Sequence, residues 1–332
     1  MIALDANGAD RGPATVAEGG RRSGVPVTLF GPRAEIEGFG AEVVHAPLAI
    51  TNEDEPARAV RARPDASIVQ AAKAVAEGRA DAVVSAGPTG ALLAAALFHL
   101  KRVRGVHRPA VGVLLPVPGR PTLLLDSGAN LESRTEHLVQ FAYMGAVFME
   151  ACHGVERPRV GLLSNGTEAK KGTPQVIEAN ERLSEGSLNF IGNVEGGDIA
   201  SPDVDVVVTD GFTGNVALKA VEGTAKAVTG AVRDAVKSSP VTMLGGLLMS
   251  RRLGKMRHEL SQDQVGGGIM LGLRGVAVAA HGDASSVGIA NAIRLAQRAV
   301  DERMIERTEA ALAAAGALRS SEPAVSVGAS DE

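Results

Sequence analysis

The sequence is poor in cysteine and in aromatic residues: it has one cysteine, no tryptophan and an aromatic content of 2%. The single cysteine, Cys152, excludes an intrachain disulfide framework and a cysteine-based zinc site, so we expect a reducing cytosolic setting. Few aromatic rings leave no stacking platform for bases, and a net charge of −4 is not the basic footprint of a nucleic-acid-binding protein. These absences predict no nucleic-acid partner and a small, buried, unreactive Cys152.

Long apolar runs are also missing. No uninterrupted run of about 18 apolar residues occurs, and Met1 is followed by a short strand pattern instead of a basic leader and an apolar core. We therefore expect neither a membrane span nor a secretory signal. A hydrophobic content of 45% over 332 residues can bury a sizeable core. We predict one domain over residues 1–318 and a disordered tail over residues 319–332, which are rich in small residues.

Residues 204–219, VDVVVTDGFTGNVALK, show the pattern around which the chain is organised. A mostly apolar run ends in Thr209, Asp210 and Gly211, and a segment rich in Ala and Val with helical spacing follows. The pattern predicts a strand, a tight turn and a helix. In open parallel sheets such an edge binds ligands, and a helix N-terminus there offers free N–H groups to an anion.

Polar, glycine-containing turns recur at other predicted strand ends, and in a parallel sheet they would converge on one edge and line one crevice. Their amide, hydroxyl and N–H groups suit an oxyanion such as phosphate. The alternative is that small polar residues fill these turns for conformational reasons. Thr89 is also expected to cap its helix. The candidate binding residues are Asp5, Asn7, Gly8, Ser85, Gly87, Thr89, Gly90, Asp126, Asn130, Asn165, Gly166, Thr167, Asp210 and Gly211.

Familiar catalytic and cofactor motifs are absent. The sequence has no G-x-G-x-x-G after a strand, no G-x-x-x-x-G-K-[ST], no H-E-x-x-H and no G-x-S-x-G nucleophile elbow. The carboxylates show no spacing typical of metal ligands. We therefore predict no metal, no cofactor and no covalent serine intermediate.

An apolar segment, residues 241–249, is followed at once by a cationic cluster. The apolar positions include Leu244, Leu247 and Leu248, and the cations are Arg251, Arg252, Lys255 and Arg257. This combination suits a membrane surface or a dimer partner with acidic neighbours, and the alternative is a buried helical hairpin. A second basic group, Arg58, Arg61 and Arg63, could face an anionic partner or lie in a solvated loop and helix start.

Several long stretches resemble the bacterial phosphate acyltransferases of phospholipid synthesis, in the same order along the chain. They are LDANGAD, LLDSGAN, EHLVQFAYMG, RVGLLSNGTEAKKG, NFIGNVEGGDI, VVVTDGFTGNVALK and GGGIMLGLRGVAVAAHG. The resemblance implies a three-layer α/β/α sandwich with a mostly parallel, Rossmann-like sheet, similar to the phosphotransacetylase and isocitrate/isopropylmalate dehydrogenase folds. It also implies a protruding helical hairpin near residues 238–262.

The resemblance further implies transfer of a fatty acyl group from acyl carrier protein to inorganic phosphate, which gives acyl phosphate for a downstream acyltransferase. It implies a cytoplasmic homodimer attached peripherally to the membrane. The chain departs from the family pattern at Met-Gly-Gly-Asp, where it has residues 7–10, Asn-Gly-Ala-Asp, and at Pro88, where Asn is usual. A contracted region between Gly19 and His45 and Asp283-Ala284 in place of a serine pair are further departures. These departures leave a catalytically altered regulatory or scaffold protein open as an alternative. A decarboxylating NAD-dependent dehydrogenase shares the implied fold and is a second alternative, but the sequence does not show the clustered substrate arginines and metal aspartates that such an enzyme needs.

The implied chemistry needs little from the protein beyond positioning, because phosphate is already a competent nucleophile. We expect preset donors to stabilise the tetrahedral oxyanion. The predicted donors are Asn165, Thr167, Asn215 and the turn amides near Gly211, and the predicted charged helper is Lys219 or His281. An acidic carrier protein should meet a basic patch, for which the two arginine-containing groups named above are the candidates.

Overall fold

An eleven-stranded sheet forms the centre of the molecule. The computed structural model describes residues 1–115, 121–259 and 266–319, without the side chains of residue 253 and residues 255–259. The strands are β1 (Ile2–Asp5), β2 (Val27–Gly31), β3 (Glu42–His45), β4 (Ala82–Ser85), β5 (Ala110–Leu115), β6 (Thr122–Leu125), β7 (Val160–Leu163), β8 (Phe190–Val194), β9 (Val206–Val208), β10 (Gly268–Leu271) and β11 (Val276–Ala279).

Helices cover both faces of this sheet. They are α1 (Pro13–Ser23), α2 (Arg33–Ile36), α3 (Pro56–Ala62), α4 (Ser67–Ala76), α5 (Thr89–His99), α6 (Thr135–His153), α7 (Pro174–Ser184), α8 (Gly211–Lys237), α9 (Pro240–Glu259), α10 (Ser286–Asp301) and α11 (Met304–Ala314). A short 3₁₀ helix spans Gly196–Ala200. The predicted disordered tail, residues 319–332, lies outside the described residues except for residue 319.

Alternate residues of each strand point into different helical layers. Ile2 and Leu4 join the core with α1, α6 and α10, whereas Ala3 packs with α4 and α5 on the other face. Strands buried on both faces read as nearly continuous apolar runs, which is the pattern of a sheet between two helical layers. The predicted three-layer α/β fold is therefore confirmed.

The strand order is β3-β2-β1-β4-β11-β10-β5-β6-β9-β7-β8. Most neighbours are parallel, but β10 is antiparallel to β11 and β5, and β5 is antiparallel to β6. The predicted β5–β6 hairpin is confirmed by this last pairing. The sheet thus contains two parallel blocks of opposite direction. The first block is β3, β2, β1, β4 and β11, and the second is β6, β9, β7 and β8.

Helices α8 and α9 form a hairpin in which α9 folds back along α8. A Cβ atom on Gly246 of α9 would lie 2.3 Å from Val236 Cγ1 of α8, so the two helices touch there. The apolar side chains of residues 241–249 in α9 are mostly exposed, with Leu248 81% and Val241 80% exposed. Within a single chain the described part of the hairpin is therefore not buried. Among the described residues, no helix is long and apolar enough to cross a membrane.

Candidate functional site

The sequence-predicted turns do not meet at one edge of the sheet. Turns after β1, β4 and β11 leave the ends of the first block, and those after β6, β7 and β9 leave the second block at the opposite edge. Five strand spacings separate β1 from β6, which is roughly 24 Å. The expectation of a single crevice is therefore wrong, because antiparallel pairing reverses the second block. The structure contains two clusters.

The Asp5 cluster, at the first edge, consists of Asp5, Asn7, Gly8, Ser85 and Gly87. Ser85 Oγ donates to Asp5 Oδ2 at 2.6 Å, and Gly87 N donates to Ser85 Oγ at 3.0 Å. Burial raises the pKa of Asp5 to about 6, against the opposing effect of its hydrogen bonds. Gly8, at φ +82°, brings the first turn within contact distance of Gly87. These groups mostly satisfy one another.

The remaining residues of the first edge are less closely involved. Thr89 does not cap its helix, because it is the first helical residue and Pro88 is the N-cap, without a side-chain cap bond. Gly90 packs against Pro56 of α3, where a Cβ atom would be 3.0 Å from Pro56 Cγ. His281 is exposed, and its Nδ1 accepts from Asp283 N at 3.3 Å.

The Asp126 cluster, at the opposite edge, combines residues 126–130 after β6 with residues 209–215 after β9. Asp126 is buried and accepts backbone N–H bonds from Val111, Gly128, Ala129 and Asn130 at 2.8 to 3.2 Å. Burial raises the pKa of Asp126, and these bonds oppose the rise. The carboxylate thus ties its own turn to β5, and its oxygens face protein donors.

Asn130 has a similar structural role. Its Nδ2 donates to Pro109 O and to Asp126 Oδ2, both at 2.8 Å, and its carbonyl accepts from Gly211 N at 2.7 Å. The Gly211 amide is therefore already bonded within the chain. The geometry does not support its predicted use as a free oxyanion donor, because the turn after β6 occupies it.

The N-terminus of α8 is pressed onto the turn after β6. Asp210 caps the helix by accepting from Thr213 N at 2.8 Å and from Thr213 Oγ1 at 2.7 Å. A Cβ atom on Gly214 would lie 1.9 Å from Asp126 O, and one on Gly211 would lie 2.5 Å from Asn130 O. Only glycine permits this approach. It places Asn215 beside Gly128, since a Cβ atom on Gly128 would lie 3.9 Å from Asn215 Cβ.

Residues 164–172, after β7, form the neighbouring turn at the same edge. Buried Asn193 holds this turn by donating from Nδ2 to Glu168 O at 2.8 Å and to Lys171 O at 3.3 Å. Asn165 and Thr167 are exposed, whereas Gly166 is buried beneath the Lys171 side chain. Because β7 is next to β9, which is next to β6, each of these three turns lies one strand spacing, about 4.8 Å, from the next.

The exposed candidate donors thus gather at the Asp126 cluster. Asn165, Thr167 and Asn215 are exposed there, and Lys219 follows Asn215 by one helical turn. Lys219 Nζ lies 2.9 Å from Glu222 Oε2, so its charge is partly balanced. His281 follows β11, four strand spacings from β9, or roughly 19 Å. Lys219 and His281 therefore cannot act at the same point within one chain.

The sequence interpretation missed the basic residues around this edge. The rings of His107 and His137 are tilted by 46°, with centroids 5.8 Å apart. The pKa of each is lowered mainly by burial, and nearby cations add to this effect. Arg108 and Arg134 are exposed beside them. The signal was present as a run of basic residues, residues 101–108, directly before β5.

Cys152 and the hairpin residues lie away from both clusters. Burial raises the pKa of the Cys152 thiol to about 12, which fits the predicted small buried residue. Leu244, Leu247 and Leu248 are exposed on α9, as are Arg251 and Arg252. The side chains of Lys255 and Arg257 lie outside the described residues. Within the described ranges, no group of three or more His, Cys, Asp or Glu residues could hold a metal ion.

Solved structures share this architecture. A phosphotransacetylase from Streptococcus pyogenes aligns with a TM-score of 0.59 at 16% identity, covering 91% of this chain and 94% of that one. A 4-hydroxythreonine-4-phosphate dehydrogenase from Klebsiella pneumoniae aligns with a TM-score of 0.52 at 15% identity, covering 90% and 98%. At these identities the likeness concerns the fold alone, and the predicted similarity to phosphotransacetylases is confirmed.

Sequence relatives are much closer. The phosphate acyltransferase of Geobacillus sp. (strain WCH70) is 42% identical over 322 residues, covering 94% of this chain and 98% of the relative. That of Magnetococcus marinus is 43% identical over 346 residues, covering 98% and 99%. A family model described as "Fatty acid synthesis protein" matches residues 1–307. With this match and these relatives, the chain belongs to the phosphate acyltransferase family.

Proposed function

We propose that this chain transfers a fatty acyl group from an acyl carrier protein thioester to inorganic phosphate, giving acyl phosphate. The observation that carries the proposal is the 42% identity, over 94% of the chain, to a phosphate acyltransferase. The acyl carrier donor and the supply of acyl phosphate to a downstream acyltransferase of phospholipid synthesis rest on the family resemblance. Membership of this family makes the chain an acyltransferase.

We assign the reaction to the Asp126 cluster. A phosphate oxygen attacks the thioester carbonyl, a tetrahedral oxyanion forms, and the carbon–sulfur bond then breaks to release the carrier thiol. Asn165, Thr167 and Asn215 supply hydrogen-bond donors at the ends of β7 and β9, and Lys219 adds positive charge. Preset donors of this kind lower the barrier because they need no reorganisation during the reaction. The Asp5 cluster and His281 have no assigned step in this scheme.

Apolar surface suited to an acyl chain flanks the same cluster. Leu131 is 75% exposed directly after Asn130, and Phe212 is 61% exposed in the first turn of α8. Val216, one helical turn further, is also exposed. Exposed large apolar residues beside polar donors are typical of a ligand-binding or interaction site. We propose that the acyl chain lies along this surface.

A homodimer attached peripherally to the membrane in the cytoplasm is the second part of the proposal. Exposed Leu244, Leu247 and Leu248 beside Arg251 and Arg252 suit the apolar and anionic layers of a bilayer surface. Exposed valines on α8, Val228 and Val232, offer apolar area to a second copy of the chain. The scaffold alternative makes the same two predictions but predicts no turnover.

The experiment that tests the activity is incubation with acyl carrier protein thioester and phosphate. We expect phosphate-dependent thiol release and an equal amount of acyl phosphate. Asn215→Ala should lower turnover by about 100-fold, as removal of an oxyanion donor does, with an unchanged unfolding midpoint. Asn189→Ala is the matched control, because Asn189 precedes β8 at the other edge of the sheet and its side chain bonds only to Arg157 O in the described chain.

Two results would contradict parts of this proposal. Thiol release that does not depend on phosphate would indicate hydrolysis of the thioester in place of transfer to phosphate. No thiol release at all would favour a scaffold without activity. Full activity of Asn215→Ala would remove the turn after β9 from the mechanism while leaving the reaction itself intact.

A further inference from the structure

The basic loop, residues 101–108, is a cationic surface that the proposed mechanism does not use. Its sequence, Lys-Arg-Val-Arg-Gly-Val-His-Arg, links α5 to β5. Lys101, Arg102, Arg104 and Arg108 are all exposed. In the part of the chain that the structure describes, none of these four forms a salt bridge with a carboxylate. Their charge is therefore available to a partner.

The basic loop is held in place from below by a buried amide. Gln140 of α6 is 0% exposed. Its Oε1 accepts from His107 N at 2.8 Å, and its Nε2 donates to Gly105 O at 3.0 Å and to Ala317 O at 2.7 Å. Arg319 N also donates to Gly105 O at 2.9 Å. A loop fixed in this way presents its cations with little ordering cost on binding.

A cavity of about 450 Å³ opens on the basic loop. Its charged and polar lining comes from Lys101, Arg102, Arg104, His107 and Arg319, and no carboxylate lines it. Burial is the main cause that lowers the pKa of His107; Glu136 opposes this effect, and Arg319 and Arg102 add to it. The concave surface therefore carries positive potential, which attracts an acidic partner and speeds its encounter.

The basic loop is continuous with the Asp126 cluster. It ends at Pro109, whose carbonyl accepts from Asn130 Nδ2 at 2.8 Å. Two residues further, Val111 N donates to Asp126 Oδ1 at 2.9 Å. A carrier protein bound to the loop would therefore hold its acyl thioester close to the turns where we place the reaction.

The two basic groups singled out in the sequence are less suited to an acidic protein. Arg63 is bonded to Asp54 at 2.8 Å, and the Arg61 guanidinium lies over the Phe98 ring at 4.6 Å, so both already have partners. Arg251 and Arg252 follow the exposed leucines of α9. A cationic pair beside exposed leucines fits a bilayer surface better than a protein surface.

We propose that the basic loop is the docking surface for the acidic carrier protein that brings the acyl thioester to the Asp126 cluster. This inference rests on the proposed function. Because the attraction is electrostatic and acts at the rim of the site, it should govern association of the carrier and leave the chemical step unchanged.

The test compares Lys101→Glu/Arg104→Glu with Arg251→Glu/Arg252→Glu, a charge-matched control on α9. For the first variant we expect the KM for the carrier thioester to rise by about tenfold or more, with kcat and the KM for phosphate unchanged. An uncharged acyl pantetheine thioester should react equally with wild type and variant. The control variant should keep the wild-type KM for the carrier.

Each other outcome overturns the docking surface. An unchanged carrier KM in the first variant does so, as does an equal rise in the control. An equal loss of activity with the carrier thioester and with the acyl pantetheine thioester would mean that Lys101 and Arg104 act in the reaction or stabilise the fold. Loss of binding to phosphatidylglycerol vesicles with an unchanged carrier KM would assign the loop to the membrane.

Failure of the proposed function can be told apart from failure of this inference. If wild type releases no thiol, the activity is wrong, and titration with thioester-free carrier then tests docking alone. Binding by wild type that is at least tenfold weaker in Lys101→Glu/Arg104→Glu supports the surface. Absent or equal binding overturns it.

Discussion

Gly214→Ala tests whether the packing of α8 on the turn after β6 positions the candidate site. A Cβ atom there would lie 1.9 Å from Asp126 O, whereas close carbon–oxygen contacts lie at about 3.3 Å or more. The helix N-terminus must therefore retreat by about 1.4 Å. A displacement of about 1 Å in a positioning group can cost about 100-fold in rate, so we expect a loss of that size in phosphate-dependent thiol release.

The same substitution gives an opposite stability effect elsewhere in α8. Gly→Ala in a helix ordinarily stabilises by about 1 kcal/mol. Gly223→Ala should do so because, outside the neighbouring backbone of α8, no atom of the described residues lies within 4 Å of the added methyl group. At Gly214 the clash should outweigh this gain and lower the free energy of unfolding by about 1–3 kcal/mol. Urea unfolding and turnover, measured for both variants, check the two effects. If Gly214→Ala matches Gly223→Ala in both, glycine at this contact does not position Asn215.

Two further predictions concern the Asp5 cluster and the hairpin. The pKa of Asp5 rises from 3.8 to about 6 on folding, so between these values the folded chain holds more protons and the free energy of unfolding falls as pH rises, by about 3 kcal/mol in all. Urea unfolding from pH 4 to 8 should show that Asp5→Asn removes this fall, and an equal pH dependence in the variant would refute the assignment. Replacing Leu244, Leu247 and Leu248 with serine should weaken cosedimentation with anionic liposomes by about tenfold or more, whereas turnover of the carrier thioester should persist. Unchanged liposome binding would refute the membrane proposal.

Local elements could be predicted from the sequence because their signals are local. Apolar runs ending in glycine-containing turns mark β1, β4 and β9, and Thr173-Pro174 marks the start of α7, where Thr173 Oγ1 accepts from Val176 N. The exposed donors Asn165, Thr167 and Asn215 follow from the same pattern. The hydrogen bonds within the turns do not follow from this pattern. The sequence predicts Asp126 as a ligand-binding residue, but in the fold its oxygens accept from Val111 N and from the amides of its own turn.

The main error concerned which turns meet, and its cause is non-local. Strand β10, near the end of the chain, inserts between β11 and β5 and is antiparallel to both, which no local pattern reveals.

The change of strand direction between β5 and β6 could be predicted from the sequence. The short link between β5 and β6 predicts an antiparallel hairpin, and the structure has one. Once β6 runs opposite to β5, the parallel strands that continue from it, β9, β7 and β8, must send their turns to the other edge. The prediction of one crevice therefore agreed with the predicted hairpin only if β5 ran opposite to the strands of the first block. β5 would have this direction if it paired directly, and antiparallel, with a strand of the first block. Instead, β10 lies between β11 and β5 and is antiparallel to both, so β5 runs in the same direction as the first block. The Asp5 and Asp126 clusters therefore lie at opposite edges of the sheet within one chain.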